Sequence, residues 1–378
     1  MNEAMMGLDD ERQDWERPAA TARWLVDAAR ALDSADDRVG RAASDLFHDA
    51  AVNLSDQHRA QIGQLVRALI GAIEDELRIR VARALGDERP ELTAALGSSG
   101  VAIALPLLER TRLLREPGLV AAMLRRVDEH RLAIMLGRDS PYHVADLAQR
   151  LLDLGDAEIA EATMALLIAE SRRYDQFGDP ALAHGDLPAG PHRQLLWAVA
   201  AALRHWLVRQ QAVPDSQADL MLAGAVGRLL ADHDDADTLE GRAGALAALL
   251  GRKQLIDDQL LADALEEGWL ALFTAAIAER AGIDAAGVWS MIADPAGMML
   301  GTVLRAIDCS REAAVTMLWR IGSAEGAEED VIVARAEAFD ALGQHDAAEA
   351  VLIWRLDPNY RRAVIEIGEG GSGRRSIR

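Results

Sequence analysis

Cysteine is almost absent: Cys309 stands alone, which excludes an internal disulfide and fits a reducing compartment. Aromatic residues make up only 4% of the 378 residues, and alternation of period two is scarce, so a β-rich fold has little to build on. Lysine occurs once, as Lys253. Nearly every cation is therefore a guanidinium, the group suited to bidentate pairing with carboxylates. Long apolar runs are missing as well. The longest, LLWAVAAALRHWLV from Leu195, is cut by Arg204 and His205, short of the roughly 18 to 20 residues that a membrane span needs. The acidic start, MNEAMMGLDDERQDWERP, has no basic n-region followed by an apolar core, so a cytoplasmic location is expected. Positive charge is outweighed over the chain as a whole, with a net charge of −21. Binding to a polyphosphate depends on Lys and Arg displacing counterions, so nucleic acid is not an expected partner.

What is present favours helix. Half of the residues are hydrophobic, mostly Ala and Leu, which lose little side-chain freedom in a helix. Pro90, Pro117 and Pro141 each open a pair of apolar-periodic segments. The pairs read PELTAALGSS with GVAIALPLLER, PGLVAAMLRRV with DEHRLAIMLGR, and PYHVADLAQRLLDLG with DAEIAEATMALLI. Such a recurrence predicts stacked helical hairpins, each too small to bury its apolar face alone. Pro106, inside the first pair, is expected to kink its helix. Upstream, Ser55 is an expected N-cap for a long helix whose stripe runs from Ile62 to Val81 and stops at Gly86.

The expected organisation is all-α: a polar segment over 1–17, a helical-hairpin domain over 18–170, and a Pro/Gly-rich linker over 171–192. A second helical block then covers 193–322, a tetratricopeptide-like hairpin 323–367, and a disordered tail 368–378. In the hairpin, Ala338 and Leu342 are expected to face Ala347 and Ala350 across a Gly343 turn. One such unit cannot stand alone and should dock on the helices before it.

The runs LSDQHRAQIGQLVRALIGAIEDELRIRVARAL, VAIALPLLERTRLL, EHRLAIMLGRDS and LLDLGDAEIAEA, with LADALEEGWLALFTAAIAERAGI further on, resemble the bacterial domain of unknown function family 2336 over roughly residues 38 to 322. The resemblance implies an all-α fold with HEAT-like hairpins and carries no established activity. Trp269 departs from it, standing where an acidic residue is more usual.

Few residues point to chemistry. Gly368, Gly370 and Gly373 satisfy GxGxxG, but no helix follows to hold a pyrophosphate, so they mark a flexible tail. Asp232, Asp234, Asp235 and Asp237 lack the glycine and glutamate of a calcium loop and read as solvated. Cys309 has no histidine nearby in sequence to act as its base and reads as a small packed residue. The nine histidines are scattered without zinc spacing, and His205 reads as a packing residue. Trp and Met residues of the C-terminal half read mainly as core. Trp269 is the exception, expected to be exposed at a helix break after Gly268 and to contact a partner. Arg374 and Arg375, in a basic tail on an acidic protein, are the other expected partner contacts. The expected function is a helical-repeat protein-interaction module, an adaptor or regulatory partner, with no catalytic residue, cofactor or metal. An enzyme with dispersed catalytic residues and a sensor of a small ligand held between helices are the alternatives. The oligomeric state stays open.

Overall fold

The computed structural model describes residues 38–42, 55–86, 89–97, 101–138, 146–294, 296–361, 363–364 and 367. Among them the chain is helical, and no strand occurs beyond an isolated bridge between Tyr174 and Pro180. The all-α expectation holds. The expected polar segment 1–17, the tail over 368–378 and both of its arginines, Arg374 and Arg375, lie outside the described residues.

The helices fall into two compact units, neither continuous in sequence. The first comprises residues 38–131 and 161–242. Its central helix is α1 (Asp56–Leu85), capped at its start by Ser55, whose Oγ accepts a hydrogen bond from the His58 amide. It ends at Gly86, where φ is +53°, a conformation that a β-carbon would disfavour. The stripe from Ile62 to Val81 is buried as the spacing requires. Around it pack α2 (Pro90–Gly97), α3 (Ala104–Leu108), α7 (Ala189–Gln210) and α8 (Asp215–Ala231). The buried carboxylate of Glu74 on α1 accepts hydrogen bonds from the Ile103 and Ala104 amides. That satisfies first-turn donors of α3 which have no partner within the helix. Pro106 does not kink α3. It sits in the first turn, where an amide hydrogen would have no carbonyl to reach.

The middle hairpin expected from the prolines is instead a single helix, α4 (Pro117–Arg138). Nothing in Asp128-Glu129-His130 forces a break, and Glu129 and His130 are buried within it. Residues 171–192, expected as a linker, belong to the first unit and give its core Leu182 and Leu187. Their prolines and glycines fix turns: Asp175 accepts hydrogen bonds from the Phe177 and Asp179 amides, and the Ala181 amide reaches back to the Arg173 carbonyl.

The second unit contains the described parts of 132–160 and 243–378. Among the described residues, three helices have residues in both units' shares of the chain: α4, α6 (Ala157–Ser171) and α9 (Leu239–Arg252). Within the second unit, α5 (Asp146–Asp153) packs on α10 (Asp258–Glu266), followed by α11 (Leu270–Ala281), α12 (Ala285–Ile292), α13 (Met298–Ala306) and α14 (Arg311–Glu325). Ser310 caps α14 through the Ala313 amide, as expected. The C-terminal pair α15 (Glu329–Ala341) and α16 (Gln344–Val351) docks on the helices before it. Helix α16 packs on α13, and α15 on α14 and α13, more than the two pack on each other. Trp354 beyond them is fully buried under Arg361, whose guanidinium lies 4.5 Å from the ring centroid.

Candidate functional site

On α4, Ala122, Arg125, Arg126 and Glu129 recur at spacings of three and four and share one face. Glu129 is 0% exposed. Its Oε1 accepts a hydrogen bond from Arg125 Nε at 2.8 Å, and its Oε2 lies 3.7 Å from Arg126 Nη1 and 3.6 Å from Arg173 Nη2. Arg173, buried just beyond α6, donates to Glu170 at 2.9 Å. Burial alone would raise the Glu129 pKa, but Arg125, Arg126 and Arg173 outweigh it and hold the carboxyl well below its ordinary range. Glu170 moves the other way, raised by burial against the pull of Arg173. The result is a buried cluster in which every carboxylate answers a guanidinium, an arrangement that tolerates loss of one partner poorly.

Beside this cluster lies a cavity of about 290 Å³ within the first unit. One wall is the α4 face; the second is Leu182, Asp186 and Pro188; the third is the loop and first turn at Asp235, Thr238, Glu240 and Gly241. Thr238 Oγ accepts from the Gly241 amide at 3.0 Å and donates to the Asp235 carbonyl at 2.7 Å, which pins the loop onto the start of α9. Only glycine fits at position 241, because a β-carbon there would collide with the Asp235 carbonyl. Asp186 pairs with Arg172 at 3.1 Å, and Asp235 accepts from the Ala189 amide at the N-terminus of α7 at 3.1 Å. Around the cavity the ion pairs are made but the hydrogen bonding is incomplete, at Glu129 Oε2 as well as at Arg126. Arg126 is 4% exposed, yet its Nε and Nη1 have no hydrogen-bond partner among the described residues. Glu240, about one third exposed, stands 3.8 Å from Nη2 of both Arg125 and Arg126, beyond hydrogen-bonding range.

Asp235 joins this cavity to a row of histidines. Its Oδ1 is 3.1 Å from His233 Nε2; the His233 and His192 ring centroids are 4.3 Å apart; His192 Nε2 is 3.2 Å from His184 Nδ1; and His184 Nε2 is 3.4 Å from Glu76. Burial, then His233 and His184, push the His192 pKa down to about 4. His184 is lowered by burial against the opposing charge of Glu76. Among the described residues no group of three or more His, Cys, Asp or Glu has the geometry to hold a metal. The row is a chain of ring contacts and hydrogen bonds between Glu76 and Asp235. In sequence these histidines look scattered, because a turn and a loop bring them together.

The residues singled out from sequence fare unevenly. Trp269, expected to be exposed, is 8% exposed. Gly268, with φ of +74°, closes α10 and reverses the chain into α11. The acidic residues before it are engaged, Glu266 with Arg320 at 3.1 Å and Glu267 with the Leu147 amide at 2.8 Å. The ground for placing a partner on Trp269 is thereby removed. Cys309 is buried, and burial, then Asp258, push its thiol up to about 12, so it is no nucleophile at neutral pH. His205, expected to pack, is exposed. Asp232, Asp234, Asp235 and Asp237 are exposed as expected, but Asp235 also walls the cavity. No described helix is long and apolar enough to cross a membrane.

The fold is thus that of an all-helical protein with a charged cavity in one of its two units. The chain belongs to the family described as an uncharacterised protein conserved in bacteria, DUF2336, whose model matches residues 103–352, about two thirds of the sequence. The match begins later than the resemblance read from sequence and runs on into the C-terminal hairpin. Every cavity residue falls inside it. No curated protein and no solved structure matches the chain.

Proposed function

We propose that this chain is a binding protein without chemistry of its own: a HEAT-like helical interaction module of the bacterial cytoplasm, acting as an adaptor or regulatory partner, whose first unit answers to a small polar ligand. The observation that carries the reading is Arg126. A buried guanidinium whose donors lack acceptors costs folding free energy, and that cost is offset where a ligand completes the set. The groups around it recognise charge and offer no activated nucleophile. For the interaction half of the proposal, support comes from exposed apolar side chains of the same unit: Met164 and Ile168 one turn apart on α6, and Phe177, 80% exposed, in the turns that follow.

Affinity purification of the full chain under native conditions, followed by protein identification and by solvent extraction for mass spectrometry, tests both halves. The expected result is a stoichiometric protein partner together with a small polar compound released on denaturation. Recovery of the chain with neither would overturn the proposal.

A further inference from the structure

Resting on the reading of the cavity as a ligand site, we infer that its ligand is a free α-amino acid with a small aliphatic side chain, its carboxylate taken by Arg126 and its ammonium by Glu240. The argument is one of elimination by charge and size. Arg126 lines the cavity and has two buried donors, Nε and Nη1, that make no hydrogen bond, while Glu240, ion-paired at 3.8 Å with both guanidiniums, is too far from them to be hydrogen-bonded and can accept from a donor. A simple anion would satisfy Arg126 but face a rim carrying Glu240, Asp186 and Asp235. A simple cation would satisfy Glu240 and leave Arg126 as it stands. A molecule carrying both charged groups on one carbon answers both.

The other carboxylates of the wall are already committed. Glu129 is shared by three arginines, Asp186 is held by Arg172, and Asp235 by the Ala189 amide and His233. Glu240 is ion-paired with Arg125 and Arg126 but not hydrogen-bonded to them, and it can turn toward a ligand because it stands on the first turn of α9 and is partly solvated. The remaining wall, Ala122, Leu182 and Pro188, is apolar and suits a short aliphatic group. At about 290 Å³ the cavity lies just below the roughly 300–1,000 Å³ of sites for drug-sized ligands. That leaves room for a ligand of about the size of one amino acid.

The test begins with the thermal shift of the full-length protein against each of the twenty amino acids. Calorimetric titration follows with L-valine and with its two halves, isovalerate and isobutylamine. An aliphatic amino acid should give the largest shift, and L-valine should bind at least tenfold more tightly than either half. Glu240→Gln should lose at least tenfold in valine affinity while keeping the wild-type helicity at the temperature of the titration. Arg126→Lys, which keeps the charge but not the planar fork, should weaken valine and isovalerate alike. Equal binding of one half, or an unaltered affinity in Glu240→Gln, would overturn the inference. Extraction of a stoichiometric compound lacking an ammonium and carboxylate pair would also overturn it while leaving the ligand-binding reading intact. Failure of both the amino-acid panel and the extraction would remove both.

Discussion

Glu129→Gln removes the carboxylate shared by Arg125, Arg126 and Arg173 while keeping shape and volume. In the wild type three guanidiniums are balanced by Glu129, Glu170 and Glu240; in the variant three positive charges face two negative ones, with Arg126 and Arg173 almost wholly buried. At an effective dielectric constant of about 20, each guanidinium near 3.6 Å loses an attraction of roughly 4 to 5 kcal/mol. Most of that is recovered because the carboxylate no longer has to be desolvated. Breaking a buried pair from one side leaves a net loss of about 3 to 5 kcal/mol. Loss of the Glu129 charge also removes one of the causes that, after burial, hold the Glu170 pKa up. Urea unfolding followed by helicity reads the net loss directly: with a slope of about 1–3 kcal/mol per molar, the transition that reports the first unit should fall by at least about 1 M. Glu158→Gln, on the solvent side of α6, is the control and should stay within about 0.5 kcal/mol of wild type. A Glu129→Gln midpoint indistinguishable from that control would refute the reasoning, because the cluster would then carry no uncompensated charge.

His192 has a folded pKa of about 4 against an ordinary 6.5, so between those values the unfolded chain takes a proton that the folded one refuses, and stability is lost as pH falls through that window. Asp128, raised by burial to about 6 against Arg38, acts in the opposite sense over about pH 4 to 6. The two are separated by comparing His192→Asn with wild type, and the variant should gain about 2 kcal/mol relative to wild type between pH 7.5 and pH 5. A pH-independent difference would contradict the His192 assignment. Cys309, at about 12, should resist a disulfide reagent at pH 8 until the protein unfolds; stoichiometric labelling of native protein within a minute would show an accessible thiolate. Leu108→Asp places a charge in the core of the first unit and should cost several kcal/mol, seen as lost helicity at 25 °C; an unchanged melting curve would place Leu108 at the surface.

Much of the fold was legible in the sequence because helix periodicity and caps are local. Ser55, Gly86 and Ser310 mark real helix ends, and the Ile62 to Val81 stripe is buried as its spacing requires. The errors arose where a local rule met tertiary context. Asp128-Glu129-His130 looks like a polar break, yet three arginines neutralise Glu129 and let the helix run on. The 171–192 stretch looks like a linker, yet its prolines and glycines build turns that carry Leu182 and Leu187 into a core. The cavity could not be read from sequence at all. Its walls come from residues 122–129, 182–188 and 235–241, which no spacing rule connects, and the histidine row fails for the same reason. The single signal that could have pointed to it is the pairing of arginines with Glu129 at helical spacing, in a chain that has almost no lysine.

Hydrogen–deuterium exchange of the full-length protein, with and without the amino acid that stabilises it most, tests the central claim most directly. The account predicts slowed exchange confined to amides of Arg125–Glu129 and of Asp235–Arg242, the two segments that would close on a ligand between Arg126 and Glu240. Unchanged exchange in both segments, or protection appearing only in helices α10 to α16, would contradict it.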